Sequence, residues 1–317
     1  RQMCIRDSHT GEPLSVGENY SSFFGKAMCS FAAKDKRICA ITAAMTLGTG
    51  LEEFSTRYPE RFFDVGIAEE HAVTFASGLS AGGMLPVFAV YSTFLQRSAD
   101  QLIHDGALQR RKLIIAVDRA GFVGEDGETH QGLFDVPLLQ SLPNTTVYSP
   151  ATYEEINSAL YSAFYKDSGL IVIRYPRGSE PEEAKGLPVP DEVDLFGDSA
   201  ADTAIVTYGR LFFNALRAQE ILAERGVNVK IVKLARIKPL PERTFEFLDG
   251  CKNVFFFEEG MKGGGGSELL EKGFKGSYTV TAVDNEFVAH ASVGRQLEKY
   301  SLSAEGMTAV IEKQVKR

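Results

Sequence analysis

What this sequence lacks narrows its function before any motif is read. Its four cysteines, Cys4, Cys29, Cys39 and Cys251, are scattered, and no Cys-x-x-Cys occurs. That argues against a disulfide scaffold or a cysteine-based zinc site and fits a reducing, cytoplasmic setting. No apolar run approaches the roughly 20 residues of a membrane-spanning helix, so no membrane partner is expected. No charged start is succeeded by an apolar core, the pattern of a secretory signal. Basic residues are outnumbered 34 to 42, leaving a net charge of −8. A general nucleic-acid binder is usually basic, so nucleic acid is not expected as a partner. The Gly-x-x-x-x-Gly-Lys-Ser/Thr phosphate loop is also missing.

What is present is ordinary globular composition. The 317 residues are 44% hydrophobic and 24% charged, enough for about two domains with a core each. The chain opens on Arg1 rather than methionine, and its first eight residues have no period and no continuity with the remainder of the chain. Residues 1–19 are therefore expected to be a non-native or disordered segment.

From there, apolar β-branched runs alternate with helix-like stretches. Strands are expected at 38–42, 61–65, 85–91, 112–118, 145–149 and 169–175. Helices are expected at 21–33, 68–81, 94–109 and 153–165. Alternation of this kind reads as a parallel α/β sheet, and strands apolar throughout imply helices on both faces. A proline-rich, acidic stretch comes next, read as a linker over 179–201 between domains at 20–178 and 202–317. Then the pattern restarts, with strands at 203–208, 229–234, 253–258 and 278–283 and helices at 211–225 and 267–272. The run Gly263–Gly266 before the last helix could cradle a phosphate. Its spacing fits a flexible connection better.

Four segments carry chemistry, each placed where a strand ends. In open α/β sheets that edge binds ligands. Asp64-Val65-Gly66-Ile67-Ala68-Glu69-Glu70-His71 sets a carboxylate at the start of a small-residue helix. A partly desolvated carboxyl there can move protons near neutral pH. The alternative is a helix N-terminus whose dipole favours acidic side chains. Tyr91-Ser92-Thr93-Phe94-Leu95-Gln96-Arg97 offers an aromatic face for a flat heterocycle, or a buried turn. The glycine-rich stretch from Asp118-Arg119-Ala120-Gly121 to Thr129-His130-Gln131-Gly132 presents Arg119, Asp126 and His130, the last a plausible proton shuttle. Arg174-Tyr175-Pro176-Arg177-Gly178 adds arginines able to grip phosphate or carboxylate.

In this order the four segments closely resemble the 1-deoxy-D-xylulose-5-phosphate synthase family, in the transketolase group of thiamine-diphosphate enzymes. The resemblance covers about residues 10 to 317. It implies two parallel-sheet-based α/β domains, a pyrimidine-binding domain followed by a transketolase C-terminal domain. No Gly-Asp-Gly followed by Asn at magnesium-ligand spacing occurs, so the family's N-terminal diphosphate-binding domain, which holds Mg²⁺, is expected to be missing here. By resemblance, Glu69 activates the cofactor by shifting its aminopyrimidine to the imino form. Phe94 stacks on the ring, and Ile67 also contacts the cofactor. Tyr91, Arg119 and Arg177 fall on positions for the phosphate of glyceraldehyde 3-phosphate. Arg97, Asp126 and His130 fall near the pyruvate-derived intermediate, with Glu69, Asp126 and His130 as the catalytic set. No metal ligand is expected in this chain. Asp118-Arg119-Ala120 stands where transketolases tend to read His-Asp-Ser, which favours the synthase. The implied reaction is decarboxylating condensation of pyruvate with D-glyceraldehyde 3-phosphate, serving isoprenoid and thiamine biosynthesis in a homodimer. The alternatives are a split transketolase subunit, a 2-oxoacid dehydrogenase beta subunit, or a non-catalytic module. Alone, this chain is expected to fold but not to catalyse.

Overall fold

The computed structural model describes residues 17–190, 192–266, 269 and 274–315. Among them, two sheets stand side by side. The larger has seven strands in the order β10-β5-β6-β4-β3-β1-β2. Its parallel members are β1 (Ile38–Thr42), β2 (Phe62–Asp64), β3 (Leu85–Tyr91), β4 (Leu113–Asp118), β5 (Thr145–Tyr148) and β6 (Leu170–Arg174). The smaller has five strands in the order β12-β11-β8-β9-β7. They are β7 (Val193–Phe196), β8 (Thr203–Tyr208), β9 (Lys230–Leu234), β11 (Asn253–Met261) and β12 (Ser277–Val283).

Period-two alternation sorts the strand residues onto two buried faces. Phe88, Val90, Leu113, Ile115, Val117 and Val172 point to one core. Val87, Ala89, Ile114, Ala116, Ile171 and Ile173 point to the other. Helix Glu69–Ala81 covers the first face through Ala72, Val73 and Ala76. Helices Tyr20–Lys34 and Tyr153–Tyr165 cover the second through Phe24, Met28, Ile156 and Leu160. The first core continues into the smaller sheet through Val206, Val232, Leu234 and Phe256. The two units therefore share apolar interior rather than meeting at a wet surface.

Several expectations need correction, and two further features were not foreseen. The 179–201 stretch is not bare connection, because β7 lies within it and pairs antiparallel with β9. A further strand, β10 (Arg236–Lys238), was not foreseen; it pairs antiparallel with β5 and so joins the first sheet from the second half of the chain. The expected helix at 94–109 is broken into an α-turn Ser92–Leu95, a 3₁₀ turn Gln96–Ser98, an α-turn Ala99–Gln101 and a π-turn Leu102–Ala107. The Gly263–Gly266 run, expected to be a flexible connection, lies against a buried carboxylate. The Gly265 amide donates to Glu258 Oε1 at 2.8 Å, and a Cβ on Gly264 would sit 2.2 Å from that oxygen. Residues 1–16 and most of the helix expected at 267–272 lie outside the described residues, but the end of the expected disordered segment is part of the fold: Asn19 caps the first helix, and the Glu18 carbonyl accepts from Tyr153.

Buried charges knit the units. Glu155, on the helix over the first sheet, meets Lys233 of β9 with both side chains almost wholly buried. Removing one partner strands an uncompensated charge in a dry site. Glu155→Ala should therefore lower the unfolding free energy by about 3–5 kcal/mol. Glu220→Ala, breaking the exposed Arg217–Glu220 pair, should change it by less than about 1 kcal/mol. Urea denaturation of the two variants checks the contrast.

Candidate functional site

The candidate site lies along the C-terminal ends of β2, β3, β4 and β6, where parallel strands release the chain on one edge. Asp64, last in β2, accepts from the amides of Ala44 and Gly66 at 2.8 and 3.0 Å and from Thr46 Oγ1 at 3.2 Å. It thereby fixes the turn that delivers Glu69 to the start of its helix. Ile67, within that turn, is 74% exposed.

Glu69 is 2% exposed, yet its Oε2 has no hydrogen-bond partner. Arg97 Nη1 lies 3.2 Å from that oxygen without hydrogen-bond geometry, and its Nη2 is 3.6 Å from Glu70 Oε1. A buried carboxylate oxygen with no hydrogen bond is costly unless a ligand completes it. Arg97, expected near the pyruvate-derived intermediate, faces the carboxylates of Glu69 and Glu70.

The other predicted residues form one continuous line. Tyr91 and Phe94 stack with ring centroids 6.1 Å apart, and His130 meets Phe94 edge-on at 5.6 Å. The Arg119 guanidinium sits over the Tyr91 ring at 4.0 Å. Arg119 also pairs with Asp126 Oδ2, while Arg177 Nη1 approaches Asp126 Oδ1 at 3.3 Å. Two guanidinium groups thus converge on one internal anion. Arg177 is further held by the Val123 carbonyl at 2.8 Å. His130 Nδ1 is 2.9 Å from Thr129 Oγ1, which leaves Nε2 for chemistry. Burial raises the Tyr91 hydroxyl above the ordinary tyrosine value, although Arg119 pulls it down. At neutral pH it remains a donor.

Backbone geometry aims this set. Arg119 comes directly after β4 with φ of +58°, a left-handed conformation unusual for a side-chain-bearing residue. The bridge between Gly121 and Gly132, with bonds of 2.7 and 2.8 Å, closes the neck of the loop that carries Asp126 and His130. Gly132 is required there, because a Cβ would lie 2.2 Å from the Arg119 carbonyl oxygen. Arg174 corrects the reading of its motif. It is buried and paired with Asp135 at 2.8 Å, so it builds structure while Arg177 faces the site. Among the described residues, no cluster of three or more His, Cys, Asp or Glu could hold a metal ion.

One group at this edge escaped the sequence reading of roles. Asp118 is fully buried beneath Arg119, and the Ser21 hydroxyl approaches it without good hydrogen-bond geometry. Burial pushes its carboxyl up to about 7, against the pull of Ser21 and Arg119. Only the charge pattern of a strand-end aspartate marked it beforehand, and that does not reveal burial.

Models of known families match both units. The transketolase pyrimidine-binding domain matches residues 18–182, and the transketolase C-terminal domain matches residues 197–307. A solved split-gene transketolase, described as an inactive beta4 tetramer, superposes with a TM-score of 0.83 at 26% identity, covering 95% of this chain and 99% of that one. A Pichia stipitis transketolase shares the fold, with a TM-score of 0.79 at 17% identity over 96% of this chain and 46% of that one. The chain belongs to the transketolase family, with its pyrimidine-binding domain followed by its C-terminal domain. Within that family it is similar to the C-terminal half of 1-deoxy-D-xylulose-5-phosphate synthases. Those of Symbiobacterium thermophilum and Clostridium acetobutylicum are each 42% identical, over 94% and 95% of this chain. The chain spans about half their length, 48% and 50%.

The Asp118 carboxyl gives a pH test. Below about 4 it is neutral in folded and unfolded chains alike. Between about 4 and about 7 the unfolded chain gives up this proton and the folded one keeps it. Its contribution to stability therefore falls as pH rises through that window. Asp118→Asn should remove that slope and raise the melting temperature at pH 8 relative to the parent, as read by calorimetry from pH 4 to 8.

Proposed function

We propose that this chain supplies the pyrimidine-binding and C-terminal domains of a 1-deoxy-D-xylulose-5-phosphate synthase. In that reading the assembled enzyme condenses pyruvate with D-glyceraldehyde 3-phosphate and releases CO₂. The observation that carries the substrate assignment is the convergence of Arg119 and Arg177 on one anion, with Arg119 lying over the Tyr91 ring. Paired guanidinium groups suit a phosphate dianion, which can accept from both at once.

The residues present also fit the pyrimidine half of thiamine diphosphate. Glu69 offers a buried oxygen that lacks a hydrogen-bond donor, and Phe94 offers a half-buried ring. Glu69 would hold the aminopyrimidine, Phe94 would stack on it, and Ile67 would close over its exposed side. When bound, the cofactor supplies the electron sink that decarboxylation of a 2-oxo acid requires. The protein's own share is binding and proton management. Tyr91, Arg119 and Arg177 hold the acceptor phosphate. His130, fixed through Nδ1 by Thr129, has Nε2 free to give or take a proton at the acceptor oxygen. Asp126 keeps the two arginines together until the phosphate shares them. The diphosphate and its Mg²⁺ would be held by a separate diphosphate-binding domain, and the working particle would be a dimer of such assemblies.

The test joins this chain to the diphosphate-binding half of a synthase relative, then supplies thiamine diphosphate, Mg²⁺, pyruvate and the aldehyde. Formation of 1-deoxy-D-xylulose 5-phosphate supports the reading. Two-carbon transfer from a ketose phosphate, as in a transketolase, would replace it. Decarboxylation of pyruvate with no aldehyde incorporated would point to a 2-oxoacid dehydrogenase subunit.

Two kinds of variant sharpen the assignment. Glu69→Gln should lower kcat at least about 100-fold, since an amide cannot exchange the proton. Arg119→Ala and Arg177→Ala should each raise KM for the aldehyde phosphate about tenfold, the value of a charged hydrogen bond. The KM for pyruvate should stay within about twofold of the parent, a change under roughly 0.5 kcal/mol. Equal effects on both substrates would remove the arginines from the phosphate.

A further inference from the structure

The loop bearing Arg119, Asp126 and His130 belongs to the first domain, but its neck is held by the second. The Phe122 amide donates to Glu259 Oε1 at 2.7 Å. Arg210 Nη2 donates to the Phe122 carbonyl oxygen at 2.5 Å, so both backbone polar groups of Phe122 are taken. Arg210 Nε meets the Glu259 carboxylate at 2.9 and 3.1 Å, and its Nη2 closes a second contact to Oε1. The pair is thus held to itself as well as to the loop. Glu259 is 5% exposed. Gly121 has φ of +85°, and a Cβ there would lie 2.5 Å from the Glu259 carboxyl carbon. A second tie lies on the other side of the neck, where the Met261 amide donates to the Leu133 carbonyl at 2.9 Å.

Placement explains the contact. Arg210 lies just beyond the C-terminal end of β8, and Glu259 lies near the C-terminal end of its neighbour β11. That edge is the ligand-binding edge of an open parallel sheet. Here its polar groups are occupied by the first domain's loop.

We propose that Arg210 and Glu259 are positioning residues for the acceptor's phosphate: they fix Phe122 and thereby the placement of Arg119 and Asp126. The inference rests on the phosphate reading of Arg119 and Arg177. It assigns the second domain a part in substrate recognition without any contact to substrate. Neither residue touches the reacting atoms, so the loss should fall more on KM for the aldehyde phosphate than on kcat, which His130 on the same loop ties to the loop's order.

The first measurement uses the 317-residue chain and hydrogen exchange resolved by peptide, with inorganic phosphate as the probe. In Glu259→Ala, amides of 121–133 should exchange about tenfold faster, while those of β4 and β8 keep the parent rate. Phosphate should slow exchange in this loop in the parent and no longer do so in the variant. Glu259→Gln keeps an acceptor for the Phe122 amide and should recover part of the protection. Arg210→Ala, at a partly exposed side chain, provides the same comparison should Glu259→Ala fail to fold. Equal acceleration throughout β8 and β11 would make the pair a general stability contact and overturn the proposal. Unchanged exchange at 121–133 would overturn it as well.

The second measurement is kinetic, in the assembly with the diphosphate-binding half. KM for the aldehyde phosphate should rise about tenfold, with pyruvate's KM held, for a loss equivalent to one charged hydrogen bond. Equal rises for both substrates would overturn the proposal. A parent loop that phosphate does not protect would sink the phosphate reading itself. The exchange comparison between parent and variants would then still decide whether the pair sets the loop.

Discussion

A parallel sheet whose two faces are both buried has one place left for chemistry, its strand ends. That constraint organises this molecule. Helices cover both sides of the seven-stranded sheet, so the strands read as apolar throughout and carry no functional side chain along their length. Polar function is expelled to the C-terminal edge. Asp64, Tyr91, Asp118 and Arg174 are the last residues of β2, β3, β4 and β6. Residues more than a hundred positions apart in the chain become neighbours because each strand stops at the same level.

The second sheet obeys the same rule to a different end. Its strand ends present Tyr208, Arg210, Glu258 and Glu259, and these meet groups from the first domain or from within the joint. Tyr208 donates to Glu258 at 2.7 Å, and the Arg174 guanidinium lies 5.3 Å from the Tyr208 ring centroid. Burial raises the Glu258 carboxyl, with Tyr208, the Gly265 amide and Arg174 acting against it. Such a run of partnered polar groups is costly to interrupt and leaves few alternative dockings. Edge that would otherwise bind a small molecule is spent on holding two domains in one orientation.

Much of this was legible beforehand, for physical reasons that differ by element. Central strands such as β1, β3 and β8 announce themselves by continuous β-branched and apolar residues bounded by turns. The site residues announce themselves by position, since a charged or aromatic residue directly after such a run must lie at the ligand edge. β7 and β10 did not, because edge strands are short and mix charge with apolar residues. Arg236-Ile237-Lys238 contains one buried apolar residue, too few to set a period. The broken ridge over 92–107 looked like a helix because its apolar spacing is close to helical, and spacing alone does not distinguish α-, 3₁₀- and π-turns. The depth of Asp118 and the pairing of Arg174 were equally out of reach. Identical letters at a strand end can face solvent or interior, and what decides is the set of distant residues packed against them: Ser21 at Asp118, Asp135 and Ser149 at Arg174.

The strand β10 leaves the second half of the chain and completes the first half's sheet, while Lys238 caps the carbonyls of Leu139, Gln140 and Leu142. The covalent connection over 179–190 is therefore not what keeps the halves together. A backbone cut there would produce two polypeptides but still one particle. The place where a gene could be divided and the place where the fold can come apart are different things in this architecture. The C-terminal half of the chain is woven into its neighbour and is not a detachable module.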